Sequence, residues 1–311
     1  MENKSYELNE KERLAWYDAV IRPLFLDGKT KSDKPTFVLL TGQPGAGKTT
    51  ASAKYAQMLT PEPVKFGGDD LRILLPYAQE LLKEKPLEYP FITKKDMSWA
   101  RQKLVTEALE NGYNIQIDSI LSNPNDWRMG TLLEAKAAGY RVECVALGVH
   151  RYLSEVSMFG RREEQIKSLG VGFPVTMEPH DIAYDILPEV ISRMYTEGVA
   201  DKVAVYNRVF ENYYDTDQAQ NPNGHDIMRG LIKARQDYLG IDSLRYIQTS
   251  WENIYENMLD RNASTEQLNE VLSYYNAFRK NSGIYLVDQN SSAPNMMFYM
   301  RMRQRAASKK A

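Results

Sequence analysis

The sequence of 311 residues predicts an α/β fold, in which helices flank a parallel sheet and a helical extension follows at the C-terminus. Three observations predict it. Short β-branched runs alternate with amphipathic helical patterns, as in parallel sheets with helical crossovers. A glycine-rich loop joins the first such run to its helix. The alternation ends near Phe210, and beyond residue 223 the pattern is helical throughout.

The elements follow in order from hydrophobic period and from Gly and Pro boundaries. An amphipathic helix is predicted over residues 9–27. Strands are predicted at TFVLLT, PVKF, YNIQID, YRVECVALGV and KVAVYN. Helices are predicted over 48–59, from KKDMSW to Gly112, from NPNDWR to Gly139, and over 150–167 and 176–195. After the polar linker YYDTDQAQNPNG, three further helices begin at HDIMRG, SLRYIQ and STEQLN, and their aromatic side chains are expected in the core.

This pattern divides the chain into an N-terminal helix with its linker (1–35), a core (36–210) and a helical C-terminal extension with a basic tail (211–311). A net charge of −2 does not indicate a nucleic-acid or membrane partner. The single cysteine, Cys144, excludes a disulfide scaffold and is expected to be buried in a strand. Since there is neither a leader pattern nor an apolar run of membrane-spanning length, a cytoplasmic location is expected. The tail 291–311 is expected to be solvated.

GQPGAGKT, residues 42–49, fits the pattern G-x-x-x-x-G-K-[ST] between a predicted strand and a predicted helix. Glycines let backbone N–H groups surround a phosphate, and the helix N-terminus favours negative charge there. Lys48 is expected to reach the β- and γ-phosphates of ATP, and Thr49 to give its hydroxyl to Mg²⁺. The predicted nucleotide-binding residues are Gly42, Gln43, Pro44, Gly45, Ala46, Gly47, Lys48, Thr49 and Thr50.

A phosphate loop alone does not separate a kinase from an ATPase or a GTP-driven switch. The sequence has no N-K-x-D guanine-binding motif, and Asp118 in IQIDSI is not followed by a glutamate that could activate water. A kinase needs a carboxylate near the carboxyl end of a neighbouring strand, to accept the proton of an attacking hydroxyl. Asp69 follows PVKF and Gly67-Gly68, which are expected to turn the chain sharply. Asp70 is expected to cap or begin the next helix; the alternative is that both aspartates only cap it.

Six phrases occur in order over about residues 36–210: GQPGAGKTT, GGDDLR with LLPY, EALENGYNIQID, RREEQ, PHDIAYDILP and VAVYNR. Together they resemble the zeta toxin family of P-loop kinases, the toxins of bacterial toxin–antitoxin pairs. The resemblance implies a P-loop kinase-type sheet and ATP- and Mg²⁺-dependent phosphorylation of UDP-N-acetylglucosamine or a related UDP-aminosugar. On this resemblance Asp69 is the catalytic base, Lys48 holds the phosphates, Thr49 holds the metal and Arg161 clamps the transferring phosphoryl group.

The sequence departs from the family pattern in ways that concern the acceptor. Gly67 replaces the first aspartate of I-D-x-D. The phrase E-G-T-x-R reads DSILS at residues 118–122, where Asp118 keeps the acidic role, and Gln102 replaces a glutamate. Asp118, Arg72 and Gln102 are the predicted acceptor-binding residues. A nucleotide, a dinucleotide or an antibiotic is an alternative acceptor.

The lid also departs from the family. Phe173 stands where a second arginine is expected, with Lys167 or Arg162 as substitutes. A water-using ATPase or switch and a non-catalytic nucleotide-binding protein therefore stay open as alternatives from other classes. The resemblance implies a helical antitoxin as partner. The position and helicity of the C-terminal extension suggest in addition that it inhibits the chain itself or docks such a partner. His180, which begins HDIAYDILP beside the lid, is expected to be a packing or capping residue, with a role in the site as the alternative. His150, His180 and His225 lack metal-ligand spacing.

Overall fold

The structure is a computed structural model that describes residues 6–121, 123, 127–237 and 240–282, with Trp127 and Arg128 described by their backbone only. The basic tail at 291–311 and Ser122 of the DSILS phrase therefore lie outside the described residues.

A six-stranded sheet in the order β2-β3-β1-β4-β5-β6 forms the centre of the fold. The strands β1 to β5 are parallel, and β6 pairs antiparallel with β5. Their bounds are β1 (Thr36–Thr41), β2 (Val64–Gly67), β3 (Ile115–Ser119), β4 (Arg141–Leu147), β5 (Lys202–Tyr206) and β6 (Asn212–Asp215). All five predicted strands are present, and the predicted α/β class with helices around a mainly parallel sheet is confirmed.

Helices cover both faces of the sheet. They are α1 (Glu10–Trp16), a π-helical turn (Tyr17–Ile21), α2 (Arg22–Phe25), α3 (Lys48–Ala56), α4 (Gly68–Ile73), α5 (Ala78–Glu84), α6 (Tyr89–Ile92), α7 (Lys94–Glu110), α8 (Trp127–Ala137), α9 (Arg151–Leu169), α10 (Met177–Thr196), α11 (Gly224–Gln236), α12 (Ile241–Asp260) and α13 (Thr265–Ser282). Capping explains several boundaries: Asn9 forms a capping box with Glu12, and the Asn223 side chain accepts from the Asp226 N–H.

The side chains of β1 alternate between two buried clusters, as a strand period of two requires. Phe37 and Leu39 join the cluster under α7, α8 and α10, whereas Val38 and Leu40 join the cluster under α9, α12 and α13. Cys144 is fully buried in β4, as predicted, and burial raises the pKa of its thiol to about 12. The central strands are therefore covered on both faces, which explains their nearly continuous apolar sequences.

The C-terminal helices pack on the rest of the fold in two places. Helix α11 lies against α10, β5 and β6, so close that a Cβ on Gly148 would lie 2.5 Å from the Ala234 Cβ. Helix α12 packs along α9 and against α13. The aromatic residues Trp251, Tyr255 and Tyr275 are buried there, as predicted. The division of the chain at residue 210 stays a prediction, while β6 and α11 continue the fold directly beyond it.

A search of the helices in the described part of the chain finds none that is long and apolar enough to cross a membrane.

Candidate nucleotide and acceptor site

The phosphate loop connects β1 to α3, as its sequence predicts. Gly45 and Gly47 have φ angles of 76° and 88°, which favour glycine over any residue with a Cβ. At Gly45 a Cβ would also lie 2.1 Å from the Ser154 carbonyl oxygen of α9. The loop therefore keeps its shape through backbone conformation and through close packing against α9.

Lys48 and the two threonines begin helix α3. The Lys48 ammonium donates to the carbonyl oxygens of Gly42 at 2.9 Å and Gln43 at 3.1 Å, which closes the loop upon itself. Thr49 and Thr50 are exposed in the first turn of the helix. The N–H groups at this N-terminus, the ammonium and the exposed hydroxyls form an anion-binding arrangement.

A buried hydrogen-bond network anchors Gln43, the second residue of the loop. Its Nε2 donates to the Val149 carbonyl oxygen at 2.7 Å and to the Ser154 Oγ at 3.3 Å. Ser154 Oγ and His180 Nε2 are 2.8 Å apart, and His180 Nδ1 lies 2.9 Å from Asp181 Oδ1. Burial lowers the pKa of His180. His180 is buried, in agreement with the packing role that the sequence predicts, and the network joins the phosphate loop to α9 and α10.

Arg208 is a candidate nucleotide-binding residue that the sequence analysis did not select. Its Nη1 donates to Ser157 Oγ at 2.7 Å and lies 3.4 Å from the Gly45 carbonyl oxygen. Its side chain also lies beside Gly47. The position of Arg208 just after β5, at the carboxyl edge of the sheet, was the available signal, since ligands of such sheets bind at that edge.

Asp69 lies in the first turn of α4 and contacts two guanidinium groups. Arg72 Nη1 is 2.5 Å from Asp69 Oδ1, and Arg161 Nη2 of helix α9 is 3.4 Å from Asp69 Oδ2. Asp69 and Arg161 are at least half exposed, so both can meet a ligand. The structure thus brings three predicted site residues together from helices α4 and α9, although Asp69 and Arg161 are 92 residues apart in sequence.

The start of α4 differs from the expectation in its use of glycine. The Gly67 N–H donates to Asp70 Oδ2 at 2.7 Å, so Asp70 caps the helix as predicted. Gly67 is extended, with φ −118°, and Gly68 is helical, so neither occupies the left-handed region that a sharp glycine turn would use. A Cβ at Gly67 would lie 3.4 Å from Asp70 Oδ2 and 3.5 Å from the Asp118 Cβ, which are ordinary contact distances, so space does not require glycine at this position either.

Asp118 is the penultimate residue of β3, which lies between β1 and β2, and it pairs in register with Leu40 and Gly67. Burial raises the pKa of its carboxyl to about 6, while a hydrogen bond from Ser52 and the charge of Lys48 act in the opposite direction. Its Oδ1 is buried without a hydrogen-bond partner. An underused carboxylate oxygen next to the phosphate loop fits a bound cation or a donor on the ligand.

We expect Asp118→Asn to stabilise the ligand-free chain at alkaline pH. The folded-state pKa of about 6 lies above the unfolded value, so ionisation of Asp118 weakens the fold as pH rises through the window between them. The gain in unfolding free energy should therefore be larger at pH 8 than at pH 4.5, by about 2 kcal/mol. Urea unfolding of both proteins in EDTA measures it. An equal gain at the two pH values would contradict the assignment.

The structure places the other predicted residues elsewhere. Gln102 lies on α7 and lines an open surface groove of about 700 Å³ together with Trp99 and Glu107, so it does not join the group around Asp69. Its predicted role in acceptor binding stays a prediction without a contact that supports it.

The lid loop after α9 contains no guanidinium at the expected position. Phe173 packs its ring on Tyr89, with centroids 5.4 Å apart, and its N–H donates to Gln165. Arg162, considered as a substitute, is buried and pairs with Glu270 of α13. Lys167 is exposed near the end of α9. Arg161 is thus the lid-helix cation that meets Asp69.

With this geometry established, comparison with known proteins identifies the family. The family model described as Zeta toxin matches residues 24–219, which is more than half of the chain. The chain belongs to the zeta toxin family. Membership in the zeta toxin family places the chain among kinase-like toxins, which use a nucleotide.

Individual relatives are distant. Toxin PezT of Streptococcus pneumoniae is 26% identical over 206 residues, which are 66% of this chain and 81% of PezT. Toxin zeta of Enterococcus hirae is 23% identical over 184 residues, which are 59% of this chain and 64% of that toxin. A solved structure from the PezAT toxin–antitoxin system of S. pneumoniae superposes with a TM-score of 0.71 at 22% identity, over 81% of this chain and 99% of that one. At this identity the superposition supports the fold.

Proposed function

We propose that this zeta toxin family member is an ATP- and Mg²⁺-dependent kinase that transfers the γ-phosphoryl group of ATP to a hydroxyl of a UDP-aminosugar such as UDP-N-acetylglucosamine. The observation that carries the proposal is the contact of Asp69 with Arg161, at 3.4 Å, near the carboxyl edge of the sheet that bears the phosphate loop. A carboxylate beside a cation from the lid helix supplies both a base for a hydroxyl and charge for a phosphoryl group.

The donor half of the site is formed by the phosphate loop and α3. Backbone N–H groups of the loop, the Lys48 ammonium and the Arg208 guanidinium would surround the phosphates. The Thr49 hydroxyl and the Asp118 carboxylate are the oxygen donors that fit Mg²⁺, because Asp118 Oδ1 has no hydrogen-bond partner of its own. The cation would neutralise charge on the phosphate oxygens.

The transfer step uses Asp69 as the base. Its carboxylate accepts the proton of the acceptor hydroxyl as the acceptor oxygen forms a bond to the γ-phosphorus. The bond from that phosphorus to the β–γ bridging oxygen breaks, and ADP leaves with the electron pair. Arg161 and Lys48 stabilise the charge on the transferring group. Arg72, bonded to Asp69 at 2.5 Å, holds the carboxylate in one orientation.

A second acceptor class is favoured by the lid. Phe173 and Tyr89 form an aromatic pair where the family pattern expects an arginine, and the Tyr89 hydroxyl lies 3.4 Å from the Arg72 carbonyl oxygen. Tyr89 is fully buried, so within this pair the half-buried Phe173 ring is the one that could meet an acceptor with an apolar or planar part next to its hydroxyl, such as a nucleoside or an antibiotic. The catalytic step would be the same.

The test is ADP release from Mg-ATP with a panel of UDP-sugars, nucleosides, dinucleotides and aminoglycosides, and with products identified by mass. The proposal expects a UDP-aminosugar to gain one phosphoryl group. Phosphorylation of another acceptor would keep the mechanism and replace the substrate. Phosphate release without an acceptor would indicate an ATPase or switch, and ATP binding without turnover on the whole panel would indicate a non-catalytic protein.

We also propose a helical antitoxin as the partner of this chain. PezAT, the source of the superposing structure, is a toxin–antitoxin system. Inhibition by the chain's own C-terminal region is the alternative; in the described part of the chain, Glu270 of α13 and Arg261 pair with Arg162 and Glu163 of α9.

A further inference from the structure

Helix α9 presents three consecutive charged residues in different directions. Arg161 is exposed and reaches Asp69, whereas Arg162 and Glu163 are buried, with only 8% and 5% of their side chains exposed. A charged side chain is rarely buried unless it is paired. The partners of Arg162 and Glu163 therefore determine how this part of α9 is held.

Both partners come from the C-terminal helices. Arg261, which directly follows α12, binds Glu163 with two bonds, Nε to Oε2 at 2.6 Å and Nη2 to Oε1 at 3.0 Å. Arg162 Nη1 lies 3.2 Å from Glu270 Oε2 of α13. Arg261 Nη1 also donates to Gln267 at the start of α13. The two bonds between Arg261 and Glu163 fix orientation as well as distance, because a guanidinium and a carboxylate meet as planar groups.

Apolar packing holds the same segment of α9. The Phe159 ring lies 5.2 Å from the rings of Trp251 in α12 and Tyr274 in α13. A Cβ on Gly160 would lie 3.8 Å from Ile254 Cδ1. The residues just before Arg161 are thus packed and the residues just after it are ion-paired, all to helices that lie beyond residues 24–219.

We propose that Arg261, in the turn between α12 and α13, and Glu270 of α13 position Arg161 for phosphoryl transfer. A rotation of α9 by one residue is about 100°, enough to take Arg161 away from Asp69. The paired Arg162 and Glu163 prevent that rotation. Arg261 and Glu270 are positioning residues that act through α9, and the C-terminal helices are part of the catalytic apparatus. The inference rests on the proposed function, because it requires that Arg161 act in transfer.

The experiment is a double-mutant cycle in the full chain. Arg261→Met is expected to lower kcat for the best acceptor by about tenfold or more, because a displacement of about 1 Å in a catalytic group can cost a hundredfold. The KM for ATP should stay unchanged, since the phosphate loop packs on α9 at Ser154, about two turns before Arg161. In an Arg161→Met background the same change should lower kcat no further, because its effect passes through Arg161.

The matched control is Arg193→Met, which removes an arginine from the exposed pair with Glu197 on α10 and should leave kcat unchanged. Arg261→Lys keeps the charge without the planar geometry and should give an intermediate kcat. If Arg261→Met does not fold, Glu270→Gln replaces it, because Glu270 is 38% exposed and the change conserves its size. An unchanged kcat, or an equal loss in both backgrounds, would overturn the proposal.

Hydrogen exchange separates this inference from the proposed function. Arg261→Met should speed amide exchange in residues 159–165 of α9, a readout that does not require activity. If the wild-type chain shows no turnover that depends on Asp69, the proposed function fails. If turnover is present while exchange and kcat are both unaffected by Arg261→Met, only the positioning role fails.

Discussion

Asp69→Asn is expected to lower kcat for phosphoryl transfer by about 10²–10⁴-fold, the range for loss of a general base. The amide keeps the shape of the side chain and can still accept a hydrogen bond from Arg72, but it cannot take the proton of the acceptor hydroxyl. ATP affinity should stay the same, because Asp69 lies on α4 and, among the described residues, its hydrogen bonds go to Arg72 and Arg161 and not to the phosphate loop. Mass detection of the phosphorylated acceptor and a separate ATP titration measure the two quantities.

Asp70→Asn is the matched control, since it makes the same change one residue later. Asp70 accepts from the Gly67 N–H at 2.7 Å, and an asparagine amide oxygen can accept the same bond. The kcat of Asp70→Asn should therefore stay within a few-fold of wild type. Even complete loss of a helix cap would cost only about 1 kcal/mol of folding free energy. Equal losses for the two variants would mean that the start of α4 acts as a structural unit and that Asp69 is not the base.

Much of the fold could be predicted because its signals are local. The strand TFVLLT is a β-branched and apolar run, and GQPGAGKT combines glycines with a lysine at a fixed spacing. Both depend only on neighbouring residues. The strand β6 was missed, since NYYD is short, polar and at the sheet edge, where burial imposes no hydrophobic alternation. The short helices α4 to α6 span too few residues to show a helical period.

The candidate site could be predicted only in part, for a related reason. Lys48, Thr49 and Asp69 each follow a strand and Asp118 lies near the end of one, so parallel topology alone places them at one edge. The contacts made by α9 are tertiary. Nothing in RREEQ shows that Arg161 faces Asp69 while its neighbour Arg162 faces Glu270, because consecutive helical residues differ by about 100° and the packing partner is far away in sequence.

Arg208 and the pair Ser154 and His180 illustrate the same limit. Arg208 reaches the phosphate loop only because β5 lies beside β4 and its loop bends over Gly47. Ser154 can approach the loop closely because Gly45 has no Cβ, which would otherwise clash with the Ser154 carbonyl oxygen. Such residues can be identified once the sheet order and the helix faces are known, because the hydrophobic period of the sequence does not indicate tertiary contacts.

Lys48→Met is expected to lower kcat by about 10²–10³-fold, the loss that follows removal of one charged or hydrogen-bonding group aimed at a transition state. In the ligand-free chain the ammonium bonds to the carbonyl oxygens of Gly42 and Gln43, which holds it inside the loop where a phosphate would bind. Methionine has a similar length and no charge. The fold should therefore survive, because Gly45, Gly47 and the Gln43 network still shape the loop.

The control for Lys48→Met lies on the same helix. Lys54 is exposed and donates to the Val209 carbonyl oxygen at 3.2 Å, so Lys54→Met removes an equal charge about two turns further along α3. Its kcat should stay near wild type, since a screened charge at that distance contributes little. Rates of ADP release with a productive acceptor, measured beside thermal unfolding, compare the two variants. Turnover by Lys48→Met within about threefold of wild type would exclude the loop as the phosphate site, because no mechanism that relies on charge stabilisation there could lose so little.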